Sequence, residues 1–293
     1  MSRHSLIFLG TSTFAVPSLR ALAADKQFDI QLVITQPDRP VGRKQILTPP
    51  PVKVAAQELQ LNISQPDNMN AHVSRLKSQA SPDFLVVVSY GQILSEDILR
   101  WPTVAAVNVH ASLLPKLRGA SPIQHAILEG FAETGVTVQR MVKELDAGPI
   151  LTQRSVTMEK RETYATLHEK LANLGAELLT ATLLLPLSER EQVAANATFC
   201  RKLTKGDGAI EEKNMTALKI DRMVRSLSPW PGVTWGRNKI LETSLEPLPD
   251  SFPLPCDQNS ILFVTKIQPS GGKPMSGAEF LRGRPKGTVK RER

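Results

Sequence analysis

The 293-residue sequence contains only two cysteines, Cys200 and Cys256, which lie far apart in the chain. That number and spacing support neither a disulfide framework nor a cysteine metal site. Long hydrophobic runs are also missing. The first apolar stretch, Leu6–Leu9, is too short for the core of a signal peptide, and none approaches the length of a membrane span. We therefore expect a cytoplasmic protein that binds no metal and does not enter a membrane.

Acidic residues are fewer than basic ones. The sequence has 28 Asp and Glu against 36 Lys and Arg, which gives a formal net charge of +8 at pH 7. Such an excess of positive charge favours a polyanionic partner, although many basic proteins bind none. The length is sufficient for one large core or for two domains.

Glycine is scarce where a dinucleotide-binding loop would need it, because Gly10 stands alone after the first strand. Strands nevertheless alternate with helices up to Leu187, which predicts an α/β fold with a doubly wound, mostly parallel, Rossmann-like sheet. The predicted strands are Ser5–Leu9, Ile30–Ile34, Phe84–Val88, Val107–His110, Gly135–Val142 and Ile150–Met158. The predicted helices are Phe14–Ala24, Val52–Leu61, Ala71–Ala80, Ser95–Leu99, Ile123–Gly130 and Thr163–Leu187.

The character of the chain changes after Leu187, where a polar stretch leads into a basic, glycine-rich one. We predict a first domain over residues 1–188, a linker over 189–206 and a second domain over 207–293. The second domain begins with a helix at about residues 216–227. Short strand-like segments, such as Val233–Trp235 and Ile261–Ile267, and many prolines then indicate a small β-barrel.

The end of the Val107–His110 strand carries the candidate catalytic residues. Side chains two apart on a strand share a face, so Asn108 and His110 point the same way. They lie where open α/β sheets place their ligand crevices. Asp146, in a turn before Ala-Gly-Pro, completes the set. A plainer explanation stays open for all three: Asn108 and His110 only hydrogen-bond a local turn at a strand end, and Asp146 is a turn former that bonds its own backbone.

Three segments carry a resemblance to a known family. They are Asn108-Val-His110-Ala-Ser112-Leu-Leu-Pro115, Arg118-Gly-Ala-Ser-Pro-Ile-Gln124 and Leu145-Asp146-Ala-Gly148. Together they resemble the folate-dependent formyltransferases, and the opening Phe8-x-Gly10-Thr11-x-x-Phe14-Ala15 fits the same pattern except that Ser12 replaces a common proline. The resemblance covers essentially the whole chain. It implies a Rossmann-like catalytic domain followed by an OB-like domain that binds tRNA.

The resemblance also implies a reaction and its residues. A formyl group would pass from 10-formyltetrahydrofolate to the α-amine of methionine on charged initiator tRNA, with Asn108 stabilising negative charge on oxygen. His110 and Asp146 would move the protons, and the sequence does not divide the acid and base roles between them. No metal is implied. The residues expected to line the folate site are Tyr90, Gly91, Ser112, Leu113, Leu114 and Pro115.

A long proline-containing stretch, Thr35–Lys53, has no acid after Asp38. We interpret it as a loop, since its prolines cannot join a helix interior or a central strand. It is either a solvated flexible loop or a basic finger for phosphates, and the resemblance favours tRNA contact. The predicted tRNA-binding residues, in this loop and beyond it, are Arg39, Arg43, Lys44, Lys53, Lys205 and Lys273.

Two other functions stay open from the sequence. A related folate enzyme could act on an amino sugar or a nucleotide amine, or could hydrolyse the cofactor, but the basic loop and basic second domain argue against it. A non-enzymatic basic RNA-binding protein is the other, and the Asn108, His110 and Asp146 set argues against that. Following the family, we expect a monomer.

Overall fold

The computed structural model describes residues 3–42, 44–78 and 80–283. Two compact units divide the chain. The first comprises Met1–Pro122, Glu133–Thr157 and His168–Cys200, and the second comprises Ile123–Ala132, Met158–Leu167 and Arg201–Arg293. The stretch predicted as a linker is therefore shared, because its residues up to Cys200 belong to the first unit. The assignment of catalysis to one domain and tRNA binding to the other stays a prediction.

The first unit contains a seven-stranded sheet in the order β10-β9-β7-β6-β1-β2-β5. The central pairs are parallel, whereas β9 runs antiparallel to both β7 and β10. The strands of this sheet are β1 (His4–Gly10), β2 (Phe28–Ile34), β5 (Ile63–Ser64), β6 (Phe84–Val88), β7 (Ala105–His110), β9 (Glu133–Arg140) and β10 (Ile150–Thr157). The predicted doubly wound, mostly parallel sheet is confirmed.

The sequence of the central strands explains their position. All five residues of β6 are buried, and so are Leu6, Ile7, Phe8 and Leu9 of β1. A strand that is apolar on both faces needs cover on both faces, which helices in an α/β fold supply. The described helices of both units are α1 (Val16–Ala24), α2 (Pro51–Glu58), α3 (Met69–Lys77), α4 (Glu96–Leu99), α5 (Pro122–Glu129), α6 (Tyr164–Leu183), α7 (Ala217–Leu227) and α8 (Gly277–Arg282), of which α7, α8 and nearly all of α5 belong to the second unit. Helix α6 ends four residues before the predicted Leu187.

The basic stretch after β2 is more regular than the loop that we predicted. β3 (Arg39–Val41) and β4 (Ile46–Thr48) pair antiparallel as a hairpin, and Lys53 lies in α2. Pro40 is tolerated because this two-stranded ribbon consists of edges only. All six strand residues are exposed, so the hairpin has no burial pattern from which a sequence reading could detect it.

The second unit contains a five-stranded antiparallel sheet. The order is β12-β13-β15-β14, and β16 pairs with β15. Its strands are β12 (Val233–Trp235), β13 (Asn238–Ser244), β14 (Phe252–Pro255), β15 (Ile261–Gln268) and β16 (Met275–Ser276). The fold class, a Rossmann-like domain followed by a small β domain, is as predicted.

A single apolar cluster joins this sheet to α7. Helix α7 buries Ile220, Val224 and Leu227, which recur at helical spacing on one face. In β14, Phe252 and Leu254 alternate with prolines and point into the cluster. Sequence analysis did not identify β14, because the prolines suggested an irregular segment. Among the described residues, no helix is long and apolar enough to cross a membrane.

Candidate active site

The carboxyl end of β7 places Asn108 and His110 at the centre of the sheet edge. Asn108 pairs with Gln139 of β9, and His110 pairs with Thr137. His110 is 6% exposed, whereas Asn108 is partly exposed. Within the described residues, the Asn108 side chain makes no hydrogen bond to the protein. Its amide is therefore available to a bound molecule.

His110 is oriented through a carbonyl oxygen. Its Nε2 lies 2.9 Å from the backbone oxygen of Leu117, and its Nδ1 lies 3.7 Å from Oδ2 of Asp146. A carbonyl oxygen only accepts, so Nε2 carries the hydrogen of this bond. In the neutral ring Nδ1 then has the lone pair, and it faces the Asp146 carboxylate across a gap too long for a direct hydrogen bond.

The Asp146 carboxylate is held in place by two other segments of the chain. Its backbone adopts a positive φ of 52°. Its Oδ2 accepts a hydrogen bond from the Gly119 amide at 2.8 Å, and its Oδ1 accepts one from Gln139 Nε2 at 3.1 Å. Both donors suit an ionised carboxylate, which only accepts. The expectation that Asp146 lies beside His110 therefore agrees with this geometry.

Gly119 can fill its role only as glycine. Its φ is +118°, and a Cβ built there would lie 2.3 Å from the Cys200 carbonyl oxygen. It belongs to β8 (Arg118–Gly119), which pairs in parallel with β11 (Phe199–Cys200). This close approach leaves the Gly119 amide directed at Asp146.

The turn Ser112–Pro115, predicted to line a folate site, is fixed by hydrogen bonds. The Thr137 hydroxyl donates to the Ser112 carbonyl at 2.7 Å and accepts from the Leu114 amide at 3.1 Å. Gln153 Nε2 donates to the Leu114 carbonyl at 2.8 Å. The turn is thus a pre-formed wall adjoining His110. Ser112 and Leu114 are buried, and Leu113 and Pro115 are partly exposed.

Tyr90 follows β6, whose carboxyl end lies beside that of β7 in the parallel pair. The residue is 2% exposed, and its hydroxyl has no hydrogen-bond partner in the part of the chain that the structure describes. Burial raises the pKa of Tyr90 to about 12. A buried hydroxyl without a partner is costly unless a bound molecule satisfies it. Gly91 comes next and is exposed.

Two residues of the site escaped the sequence reading. Gln139 donates to Asp146, and alternation along β9 could have placed it beside Asn108. Gln192 contacts Arg118 and the backbone of Asp146, but no pattern in its polar neighbourhood signals this role. Within the described residues, no three His, Cys, Asp or Glu side chains form a potential metal site.

The predicted tRNA-binding residues fall into distinct settings. Arg39 and Lys44 are exposed on the β3–β4 hairpin, and Lys205 and Lys273 are exposed in the second unit. Arg43 lies outside the described residues.

Lys53 differs from these four because it forms an ion pair with Asp38, 2.7 Å between Nζ and Oδ2. Hydrogen bonds from Gln65 and then from Lys53 lower the pKa of Asp38. Lys53 therefore supports the base of the hairpin.

Comparison with known proteins gives consistent matches over the two units. A family model described as formyl transferase matches residues 4–183, and one described as formyl transferase, C-terminal domain, matches residues 202–285. A curated methionyl-tRNA formyltransferase of Enterococcus faecalis is 38% identical over 95% of both chains. One from Caldicellulosiruptor saccharolyticus is 39% identical over 95% of this chain and 96% of its own.

Solved structures share the fold at low sequence identity. An N-formyltransferase from Helicobacter canadensis, in complex with folinic acid and dTDP-3-aminofucose, has a TM-score of 0.67 at 16% identity and covers 90% of this chain and 99% of its own. HypX from Aquifex aeolicus, in complex with tetrahydrofolic acid, has a TM-score of 0.60 at 12% identity over 96% of this chain and 47% of its own. At these identities the likeness concerns the fold alone.

Proposed function

Since the chain belongs to the formyl transferase family, we propose that it transfers the formyl group of 10-formyltetrahydrofolate to the α-amino group of methionyl initiator tRNA. The observation that carries this proposal is the convergence of Asn108, His110 and Asp146 at one sheet edge. The identity with curated methionyl-tRNA formyltransferases along nearly the whole chain supports the choice of acceptor. The reaction belongs to translation initiation, and we place it in the cytoplasm.

Asn108 stabilises the charge that develops during transfer. When the amine attacks the formyl carbon, the formyl oxygen becomes negative, and the Asn108 amide donates a hydrogen bond to it. A pre-organised donor of this kind contributes about 3–4 kcal/mol to transition-state stabilisation. The absence of a competing protein partner for this amide, within the described residues, fits that role.

His110 moves the proton. Its Nδ1 takes the proton that the attacking amine must lose, because Nε2 is occupied by the Leu117 carbonyl. The same proton then passes to the folate nitrogen as its bond to the formyl carbon breaks. The Asp146 carboxylate, 3.7 Å from Nδ1, stabilises the imidazolium between these steps. No covalent bond to the protein is required, since the amine is itself a nucleophile.

The residues at the sheet edge fit a bound folate. 10-Formyltetrahydrofolate supplies the activated formyl group. Tyr90 is 2% exposed and packs in an apolar cluster with Leu85 and Val87, so it supports the site from beneath. The fixed turn Ser112–Pro115 provides a wall that needs no rearrangement to receive a flat ring. These residues bind and orient the donor, and exposed Arg39, Lys44, Lys205 and Lys273 supply positive charge for the tRNA phosphates.

The test is a formylation assay with matched acceptors. The protein is incubated with 10-formyltetrahydrofolate and either charged methionyl initiator tRNA or the same tRNA uncharged, and formylmethionine and released tetrahydrofolate are both measured. We expect both products in equal amounts with charged tRNA only. Tetrahydrofolate release in both tubes would indicate a hydrolase and overturn the proposal. Formylation of an amino-sugar nucleotide in place of charged tRNA would overturn the acceptor.

A further inference from the structure

The segment that follows α6 is anchored at both ends against the candidate active site. We call residues 190–200 the strap. At its start, Arg190 and Ile150 exchange two backbone hydrogen bonds of 2.9 and 2.8 Å. At its end, the Arg118 amide donates to the Thr198 carbonyl at 2.9 Å and the Ala120 amide donates to the Cys200 carbonyl at 3.0 Å. A polar stretch held in this way is part of the first unit's structure.

Gln192 lies between the two anchors and uses its whole amide. Nε2 donates to the Asp146 carbonyl at 2.8 Å and to the Gly148 carbonyl at 2.7 Å. Oε1 accepts from Arg118 Nε at 3.0 Å and from Nη2 at 2.7 Å. A glutamine amide offers two donor hydrogens and two acceptor lone pairs, so its capacity is filled. Arg118 is 9% exposed and Gln192 is partly exposed, so this set of contacts is partly buried.

Gln192 binds the turn that carries Asp146. Asp146 has a positive φ, a conformation that ordinary residues adopt at an energetic cost and that its surroundings must stabilise. At Gly148 a Cβ would lie 1.9 Å from the Arg140 carbonyl oxygen, so one side of the turn rests directly on β9. Gln192 bonds two carbonyls of the turn and thereby fixes its backbone. Asp146 is thus held at its backbone by Gln192 and at its carboxylate by Gly119 and Gln139.

The far end of the strap contacts the residue that orients His110. Thr198 Oγ1 accepts from the Leu117 amide at 2.9 Å, and the Cys200 thiol donates to the Leu117 carbonyl at 3.3 Å. That carbonyl is also the partner of His110 Nε2. One segment therefore contacts the supports of both proton-handling side chains.

We propose that Gln192 is a positioning residue for proton transfer: it fixes the 146–148 turn so that the Asp146 carboxylate faces His110 Nδ1. The proposal rests on the proposed function, because it acts through the roles assigned there to Asp146 and His110. Gln192 itself touches no reacting atom. It determines the rate of transfer and leaves the binding of donor and acceptor unchanged.

Two substitutions of Gln192 separate the role of its amide nitrogen from that of its amide oxygen. Gln192→Ala removes the contacts to Arg118, Asp146 and Gly148 and a longer one of 3.4 Å from Nε2 to Gln139 Oε1. Gln192→Glu keeps an acceptor for Arg118 but turns a carboxylate oxygen toward the Asp146 and Gly148 carbonyls, which repels them. Because a displacement of about 1 Å can cost about 100-fold in rate, we expect both variants to lower kcat by about 10–100-fold, with KM for folate and tRNA within about twofold. A Gln192→Glu variant with the kcat of the parent enzyme would overturn the proposal.

The matched controls are neighbouring exposed residues of the strap. Glu191→Ala makes a truncation next to Gln192, and Val193→Glu adds a carboxylate there without touching the turn. We expect kcat of both controls to stay within about twofold of the parent, as is usual for exposed sites away from special features. A loss as large as that of Gln192→Ala would mean that the strap tolerates no change, and the specific role of Gln192 would be wrong.

A double-mutant cycle tests whether Gln192 acts through Asp146. In an Asp146→Asn background the carboxylate is already lost, so Gln192→Ala should lower kcat by less than about twofold further. An additive loss would place Gln192 on a separate pathway and overturn the proposal.

Amide exchange gives a readout that does not depend on activity. The Gly119 amide donates to Asp146 Oδ2, so we expect it to exchange faster with deuterated solvent in Gln192→Ala and Gln192→Glu, but not in Glu191→Ala. If the parent protein formylates tRNA, but the Gln192 variants change neither Gly119 exchange nor kcat, then the positioning role is wrong and the proposed function stands. If the parent transfers no formyl group but Gly119 exchange accelerates, the proposed function fails and the structural role of Gln192 stands.

Discussion

The sheet edge that carries Asn108, His110 and Asp146 and the hairpin that carries Arg39 and Lys44 belong to the same unit but are built in opposite ways. At the edge, His110 is buried and Asp146 is partly buried, and these two side chains, which we propose to move protons, are restrained by Leu117, Gly119 and Gln139. In the hairpin, every strand residue is exposed, and the ordering contacts lie at its base, where Asp38 meets Lys53 and Gln65.

The difference fits the roles that we propose for the two regions, proton transfer at the edge and tRNA binding by the hairpin. Proton transfer depends on atomic distances within a few tenths of an ångström, so the supporting bonds must over-determine the geometry. A nucleic-acid backbone is a repeating array of charge, and exposed cations bind it over a range of positions. The hairpin also exposes Val41, Ile46 and Leu47 by 56, 62 and 65%. Exposed apolar side chains that lie close together are typical of surfaces that contact a partner.

The largest expected effect tests the edge. Replacing Asn108 with Ala should lower kcat about 100- to 1,000-fold with little change in KM, because one donor to the developing oxyanion is lost. The measurement is steady-state formylation of methionyl-tRNA. Asn173→Ala, on an exposed position of α6, provides the matched control and should keep full activity. A rise in KM with unchanged kcat would mean that Asn108 binds substrate without assisting transfer.

The next effect tests the hairpin. The double change Arg39→Ala and Lys44→Ala should raise KM for tRNA about tenfold and reduce the salt slope of binding by about 1 to 2, at unchanged saturating kcat. Filter binding across a range of salt concentrations measures the slope. The control variant, Arg75→Ala with Lys26→Ala, removes the same number of positive charges elsewhere in the unit. Equal slopes for the two double variants would show that the hairpin adds only to the net charge.

The smallest effect concerns the turn that carries the exposed Lys205, which is fixed by side-chain hydrogen bonds. Thr204 and Asp207 form a reciprocal cap around it, and Arg201 pairs with Asp207. The hydrogen bond from Arg201, followed by that from the Thr204 amide, lowers the pKa of Asp207 well below its usual range. A lowered folded-state pKa contributes stability above the unfolded value of about 3.9 and loses it as pH falls toward the folded value.

Urea denaturation followed by tryptophan fluorescence between pH 7 and pH 2 measures this contribution. Asp207→Asn should be less stable than the parent at pH 7, and the difference should shrink below about pH 4. A constant difference at all pH values would show that the carboxylate charge contributes nothing. Glu246→Gln, at an exposed position, is the matched control.

Burial patterns made much of the fold predictable from the sequence. The short apolar run Phe84–Val88, rich in β-branched residues, predicts a strand covered on both faces, and the structure has it as β6. The alternation around Asn108 placed two polar side chains on one face at the end of β7. These predictions held because local sequence and tertiary burial agree at those positions.

Sequence analysis missed features that depend on tertiary contacts and leave no periodic pattern in the sequence. The strands Arg39–Val41 and Ile46–Thr48 bury no side chain, so no periodic pattern of apolar residues indicates them. Gln192 reaches the 146–148 turn across more than 40 residues of sequence, from a stretch whose composition is that of a linker. A single polar residue carries no periodic signal, and its role becomes visible only when its partners are known.

The burial of Cys200 provides a reporter for the strap. Its thiol is 3% exposed and donates to the Leu117 carbonyl, so an alkylating reagent can reach it only when β11 separates from β8. Cys256, the other cysteine, is only partly buried and serves as an internal reference in the same molecule. Pulse alkylation followed by mass spectrometry then measures how fast Cys200 becomes accessible. A change in its labelling rate relative to that of Cys256, between the parent and a strap variant, reports a change in strap opening without any engineered probe.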